Sequence, residues 1–223
     1  MKLKDYLRSY EKAIDKDFDP ECSSDYTRAE KILKLIPEKG QLILDIGCND
    51  GELSKQFKKQ GNTVIGIEIN PYLAEKAKEK LDKVIIQDAE DSWQVLDNYF
   101  DIVVLSAVLE HVFDTDFLLE ESYRVLKSDG HLIVAVPNIA VFGNRIKLLF
   151  GKPIDWIDTY GEHIRAFTKP SLEALLKKHK FKPIYWTGNE RKIPKTNIRL
   201  PYFEKLFPNL CRVIICYCEK MTT

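Results

Sequence analysis

Residues 42–51 constrain the fold of this chain more than any other segment does. A short apolar run there leads directly into Gly47 and Gly51, and a helical pattern begins at Leu53. Glycine adopts positive φ angles without steric cost, so this order predicts a buried strand, a tight turn and the first residues of a helix. In open α/β sheets such a turn is where ligands bind. The segment therefore predicts an α/β fold with a ligand site at this turn.

The charges in this turn restrict the ligand that it can hold. A dinucleotide-binding turn spaces three glycines so that a pyrophosphate lies at the helix N-terminus. Here there is no third glycine, and Asp45 and Asp50 add negative charge. This combination favours a cofactor with a cationic amino-acid end. A nicotinamide dinucleotide is the alternative, because Glu68 at the end of the next predicted strand would suit its ribose.

Strands and helices alternate along the following part of the chain, and the apolar residues of the strands are continuous. The first five predicted strands are 42–46, 63–68, 84–86, 100–105 and 131–136. Continuous apolar runs are typical of parallel strands that are covered on both faces. The helix before the fifth strand is predicted to end near Leu126 and to be closed by the Ser-Asp-Gly sequence at 128–130. We therefore expect a mostly parallel sheet between two layers of helices.

The stretch 138–165 interrupts this alternation. It contains several aromatic residues and three glycines, and it predicts a helical insertion, or lid, beside the ligand site. A regular helix at 168–179 and two strands at 183–187 and 212–218 are predicted to complete the domain.

Composition narrows the range of partners. Acidic and basic residues balance at 34 each, so no global field favours nucleic acid or an anionic membrane. Residues 1–19 are charged throughout, which argues against a secretory leader, and no run approaches the ~20 apolar residues of a membrane span. Five unevenly spread cysteines are typical of a reduced protein. We expect a cytoplasmic protein with no nucleic-acid partner and no membrane span.

The sequence Asp-Ile-Gly-Cys-Asn-Asp-Gly at 45–51 resembles the glycine-rich first motif of the class I S-adenosylmethionine (SAM) dependent methyltransferases. The commonest residue of that family at the position of Asn49 is Gly, and Asn is the next most permissive residue for a left-handed turn. The resemblance covers about residues 30 to 187. It implies a Rossmann-like fold with a mostly parallel seven-stranded sheet, an antiparallel last strand and a small helical lid.

On this basis the whole chain, 1–223, is expected to form a single methyltransferase domain. Its predicted parts are an N-terminal helical cap at 1–40, a SAM-binding core at 41–137, a lid insertion at 138–167, and a C-terminal helix with strands at 168–223.

The resemblance also implies which residues bind the cofactor and its product, S-adenosylhomocysteine. Asp45 would order the glycine turn or reach the amine through water, and Glu68 would accept hydrogen bonds from both ribose hydroxyls. Asp88 would take the adenine amino group. Taken singly, each such acid is more simply a solvated turn residue or a helix cap. The expected cofactor-binding residues are Asp45, Gly47, Cys48, Gly51, Glu68, Ile69, Asp88, Ala89 and Ser106.

The segment 108–112 resembles the small-molecule methyltransferases of the ubiquinone-biosynthesis type (types 11 and 23). The strand before it is not followed by the Pro-Pro-aromatic turn of the enzymes that methylate amino groups of DNA bases. We therefore expect a small-molecule acceptor. Some quinone O-methyltransferases bind a divalent cation with a second Glu three residues before Glu110. This chain has Ala107 at that position, so we expect no metal site.

Three side chains are candidates for acid–base catalysis. His111 follows the fourth strand on the cofactor edge and titrates near neutral pH, which makes it the first candidate for a general base. His163 and Tyr160 could reach the acceptor from the lid. In the alternative interpretation, His111 packs beside the cofactor, and His163 and Arg165 attach the lid to the domain.

The sequence therefore predicts an enzyme that transfers a methyl group from SAM to a small-molecule hydroxyl by in-line displacement. A catalytically silent module of the same fold, acting as a partner subunit, is the alternative from a different class. A dehydrogenase would instead require binding of the nicotinamide cofactor. We expect a monomer or a homodimer.

Overall fold

The computed structural model describes residues 24–154, 163–189 and 203–222. Of the residues predicted to act in catalysis, His111 and His163 lie within these ranges. Tyr160 lies outside them, and its predicted role stays a prediction.

A seven-stranded sheet forms the centre of the fold. Its strands are β1 Leu42–Ile46, β2 Thr63–Glu68, β3 Lys83–Ile86, β4 Phe100–Ser106, β5 Leu126–Pro137, β6 Phe181–Gly188 and β7 Val213–Lys220. Their order across the sheet is β3-β2-β1-β4-β5-β7-β6. The pairs from β3 to β5 are parallel, whereas β7 is antiparallel to both of its neighbours, β5 and β6. The predicted Rossmann-like sheet with an antiparallel last strand is thus confirmed.

Seven helices are described, and most lie beside the strands that they connect. They are α1 Ser24–Leu35, α2 Ser54–Lys59, α3 Pro71–Lys78, α4 Thr115–Val125, α5 Phe142–Leu149, α6 Lys169–Lys178 and α7 Phe203–Leu206. The Asn70 side chain caps α3 by accepting the amide hydrogen of Tyr72 at 3.0 Å. Thr168 caps α6 through the amide of Ser171. Both helices begin where the sequence predicts, because the side-chain oxygen satisfies an amide that lacks a partner within the helix.

The central strands are buried on both faces, as their continuous apolar runs predict. In β4, Val103 and Leu105 belong to the apolar cluster that includes residues of α4 and α6. Ile102 and Val104 of the same strand belong to the cluster on the opposite face, with residues of α1, α2 and α3. Because successive strand residues point to opposite faces, each strand contributes to two cores.

The predicted boundary between α4 and β5 is wrong. The helix ends at Val125, and β5 begins immediately at Leu126, which pairs with Phe100 of β4. The register then shifts before His131 pairs with Ile102. The Ser-Asp-Gly sequence at 128–130 therefore lies within an irregular part of the strand. Gly130 permits this irregularity, since a Cβ there would lie 2.9 Å from the carbonyl oxygen of Lys127.

The alternation of strands and helices also fails between β3 and β4. Residues 87–99 contain turns and no helix. Trp93 anchors this connection: its side chain is buried, its indole N–H donates to the Ala89 carbonyl at 2.9 Å, and its amide donates to Glu121 at 2.8 Å. One large buried side chain thus covers the sheet where a helix would otherwise lie.

Four cysteines fall within the described residues, and all are buried free thiols. They are Cys48, Cys211, Cys216 and Cys218. None of the helices in the described ranges combines the length and the apolar character required to cross a bilayer.

Candidate functional site

The turn after β1 has the backbone geometry that its glycines predict. The φ angles of Gly47, Asn49 and Gly51 are 66°, 53° and 79°. The amides of Gly47 and Cys48 both donate to the Ile67 carbonyl of β2, at 2.8 and 3.1 Å. Gly66 of β2 makes this contact possible, because a Cβ there would lie 2.4 Å from the Cys48 sulfur. The turn is therefore packed directly on the neighbouring strand.

The Glu68 carboxylate joins this turn to the start of α3. One oxygen accepts the amide hydrogen of Asn49 and the other that of Asn70, each at 2.9 Å. Burial raises the pKa of Glu68, and the two backbone bonds oppose that rise. Each carboxylate oxygen has a second lone pair and can still accept a ligand hydroxyl. The geometry is compatible with the predicted contact to a ribose, which stays a prediction.

Asp45 is almost completely buried behind the same turn. Its carboxylate accepts a hydrogen bond from the Ser54 hydroxyl at the start of α2. Burial raises its pKa to about 7; the Ser54 bond lowers it, the Glu68 charge raises it and the Arg28 charge lowers it. The carboxyl group therefore gains or loses a proton near neutral pH. A ligand cation beside Asp45 would favour its ionised form.

A cavity of about 630 Å³ opens beside this turn. Asp45, Gly47, Cys48 and Ser106 line it, so the structure brings four of the predicted cofactor residues together. The other predicted residues lie outside this lining, within the turn or at the ends of the neighbouring strands β2 and β3: they are Gly51, Glu68, Ile69, Asp88 and Ala89. Volume and position suit a small organic ligand that extends along these strand ends.

Arg28 is a cavity residue that the sequence interpretation missed. It lies on α1 and is the one cation among the described residues that line the cavity. The acids of that lining are Glu30, Asp45, Asp50 and Glu52. Arg28 belongs to no motif, and only the fold brings the helix before β1 to the glycine turn. The sequence signal that could have identified Arg28 is a basic residue on the helix before β1.

A second group of polar side chains lies just beyond β4. One ligand-type atom each from Glu110, His111 and His163 lies within 4.8 Å of the other two. The two imidazole rings have centroids 4.9 Å apart and meet at 67°. Burial lowers the pKa of His163, and the nearby His111 lowers it further. His163 is therefore predominantly neutral at pH 7 and can accept a proton.

Backbone hydrogen bonds hold the His163 segment against the end of β4. The Glu110 carbonyl accepts the amide hydrogens of Ile164 at 2.9 Å and Arg165 at 3.2 Å. The Arg165 guanidinium donates to the carbonyl of Val112 at 3.0 Å and to that of Phe113. Arg165 thus attaches this segment to the domain, as one of the two sequence interpretations holds.

The donor set of this cluster is chemically able to bind a divalent cation, since carboxylate and imidazole are common metal ligands. The sequence interpretation sought metal ligands only near Glu110. It named His163, far along the chain, as a candidate for catalysis but not as a ligand. The expectation of no metal stays a prediction.

A family model described as "Methyltransferase domain" matches residues 20–185 of this chain. The ubiquinone biosynthesis O-methyltransferase of Pelagibacter ubique is 31% identical over 140 residues, covering 60% of this chain and 58% of that protein. The ubiquinone/menaquinone biosynthesis C-methyltransferase of Serratia proteamaculans is 35% identical over 107 residues, covering 43% and 42%. The chain thus spans less than two thirds of the length of these relatives.

A solved structure from Thermotoga maritima, described as a SAM-dependent methyltransferase and possible histamine N-methyltransferase, has the same fold. The TM-score is 0.73 at 21% identity, and the match covers 96% of each chain.

The buried Asp45 makes the stability of the ligand-free protein depend on pH. The folded state holds the Asp45 proton up to about pH 7, whereas the unfolded chain releases it near its ordinary value. The Asp45 proton therefore stabilises the folded state. Its contribution is complete below about pH 4 and is lost as the pH rises through about 7. In Asp45→Asn the free energy of unfolding should therefore fall less over this interval, by up to about 4 kcal/mol.

Urea unfolding at several pH values measures this difference. Asp91→Asn, at an exposed loop position, is the control and should retain the wild-type slope. Equal slopes in Asp45→Asn and the wild type would contradict the raised pKa.

Proposed function

The chain belongs to the methyltransferase-domain family of SAM-dependent enzymes, and we propose that it transfers a methyl group to a hydroxyl of a small molecule. The observation that carries this proposal is the adjacency of two sites at the carboxyl edge of the sheet. One is the mixed-charge cavity beside the glycine turn. The other is the imidazole pair beyond β4. Cofactor binding and proton removal would then take place side by side.

The cavity beside the glycine turn fits the methionine end of the cofactor. That end carries an ammonium and a carboxylate, and the lining offers Asp45 and Arg28 as groups of opposite charge. Gly47 permits the turn to pack against Val108, since a Cβ there would lie 3.0 Å from that side chain. Glu68 would hold the ribose, and Asp88 with Ala89 would hold the adenine.

On the acceptor side the chain must orient a hydroxyl, exclude water and remove a proton. When bound, SAM supplies a methyl group that is already activated by a sulfonium, so little further chemistry is needed. His163 is a suitable proton acceptor because its lowered pKa keeps it neutral. His111, whose ring contacts that of His163, would orient it or act as the base itself. The lid, residues 138–167, would exclude water.

Two alternative functions differ from this proposal, one in cofactor binding and the other in the atom that is methylated. A catalytically silent partner subunit would have this fold without binding the cofactor. Methyl transfer to carbon is favoured by the likeness to the Serratia C-methyltransferase. The imidazole pair supports transfer to oxygen more directly, because a hydroxyl must lose a proton as its oxygen is methylated.

Cofactor binding is tested by isothermal titration with S-adenosylhomocysteine. We expect micromolar binding by the wild type. Glu68→Ala should weaken it at least about tenfold, since the variant loses the ribose contacts and the bonds that position the turn.

Glu75→Ala is the matched control, because Glu75 is an exposed residue of α3 that pairs with Lys78; it should bind as the wild type does. Absence of binding by folded wild-type protein would instead support the silent-subunit alternative.

The role of Arg28 is tested with two ligands that differ in one group. Arg28→Gln should weaken S-adenosylhomocysteine by about 10- to 100-fold, as expected for loss of a charged hydrogen bond. Its affinity for the decarboxylated analogue, S-adenosyl-3-thiopropylamine, should stay within about twofold of the wild-type value.

Lys34→Gln changes an exposed cation on the same helix and should affect neither ligand. Equal losses for both ligands in Arg28→Gln would mean that Arg28 supports the pocket without contacting the carboxylate.

Methyl transfer is tested with methyl-labelled SAM and catechol acids, alongside their amino counterparts, with the labelled atom located by mass spectrometry. We expect label on oxygen. His163→Asn should lower kcat by about 10²- to 10⁴-fold, the usual range for loss of a general base.

His131→Asn is the control, because His131 stacks on Tyr217 and pairs with Ile102 near the N-terminal end of β4, away from the site. Label on carbon or nitrogen, or an unchanged kcat in His163→Asn, would contradict the proposed chemistry.

A further inference from the structure

The side chain of Glu110 is buried in an unusual way. Its exposed fraction is 1%, and neither carboxylate oxygen has a hydrogen-bond partner within the described part of the chain. Burying an ionised carboxylate without a donor costs several kcal/mol. The group must therefore hold a proton or gain a donor when the site becomes active.

The imidazoles of His111 and His163 lie beside this carboxylate, and neither donates to it in this structure. An oxygen of Glu110 and one ring nitrogen of each histidine all lie within 4.8 Å of one another. Such contacts commonly shorten when a ligand fills the site. Arg28 of α1 is the charged group that acts on Glu110, and it favours the ionised form.

The backbone favours His163 over His111 as the partner. The Glu110 carbonyl accepts the amides of Ile164 and Arg165, the two residues that follow His163. Glu110 therefore fixes the backbone on which the His163 ring is carried. The side chain of Glu110 belongs to the same cluster as the His163 ring. Both the main-chain carbonyl and the side-chain carboxylate of Glu110 are therefore placed to act on His163.

We propose that Glu110 is a positioning residue whose carboxylate accepts the N–H of His163 and thereby directs the other ring nitrogen towards the hydroxyl to be methylated. This inference rests on the proposed function and deepens it. His163 would take the proton that the hydroxyl loses as its oxygen bonds to the methyl carbon. The electron pair of the broken carbon–sulfur bond stays on sulfur. The Glu110 charge would then stabilise the imidazolium that forms.

The electrostatics of the cluster agree with this arrangement. Burial raises the pKa of Glu110 to about 7, and burial with the His111 charge lowers that of His163. A carboxylate that accepted the His163 N–H would oppose both of these shifts.

The test follows the imidazoles by ¹⁵N NMR as a function of pH, in the wild type and in Glu110→Gln. Gln preserves the shape of Glu and removes the charge. We expect the pKa of His163 to fall by about one unit or more and its tautomer ratio to change, because an opposite charge nearby favours the imidazolium. Glu75→Gln, at an exposed position of α3, is the control. An unchanged His163 in Glu110→Gln would overturn the proposal.

A second measurement serves if Glu110→Gln does not fold. In His163→Asn the ¹³C-detected pKa of the Glu110 carboxyl should rise, because the group loses its donor; no change would overturn the proposal. All spectra are recorded with and without a chelator. A chelator-dependent His163 signal would also overturn it, since the cluster would then hold a cation.

Neither readout needs an acceptor or the cofactor. Failure of the wild type to bind S-adenosylhomocysteine, with the coupling of Glu110 to His163 present, would therefore reject the proposed function alone. Binding without the coupling would reject only the role of Glu110.

Discussion

The rest of the candidate site depends on the two hydrogen bonds that Glu68 accepts from the amides of Asn49 and Asn70. They join the turn after β1, the end of β2 and the first residues of α3. This turn has positive φ angles at Gly47, Asn49 and Gly51 and lies against Gly66 of β2. The Glu68 carboxylate thus has a structural role whether or not a ligand is bound. Because hydrogen bonds to an ionised acceptor are stronger than those to a neutral one, an acid suits this strand end better.

The fold and the glycine turn were largely predictable from sequence because their signals are local. Continuous apolar runs predicted strands buried on both faces, and the glycines predicted the turn at 47–51. The errors occurred where tertiary contacts decide the backbone. The pairing of Leu126 with Phe100 extends β5 through a sequence that otherwise predicts a turn. The buried Trp93 replaces a helix between β3 and β4.

The acceptor side was predictable only in part, because its residues come from distant segments. His111 could be placed from the strand that precedes it. The approach of His163 to Glu110 depends on main-chain bonds from Ile164 and Arg165, which have no sequence signal. Arg28 reaches the cavity only because α1 packs over the sheet beside the glycine turn. Such positions follow from the order of the strands and not from any motif.

Arg28 also connects the two halves of the site electrostatically. Its charge lowers the pKa of both Asp45 and Glu110, and burial holds each of these carboxyls near a pKa of about 7. A ligand carboxylate at Arg28 would take up part of the charge that now acts on both acids. The pKa of Glu110 would then rise, because the cation that favours its ionised form is partly offset, while a ligand ammonium would stabilise ionised Asp45. In this arrangement a bound cofactor would change the protonation of both carboxyls through charge alone, without movement of the backbone.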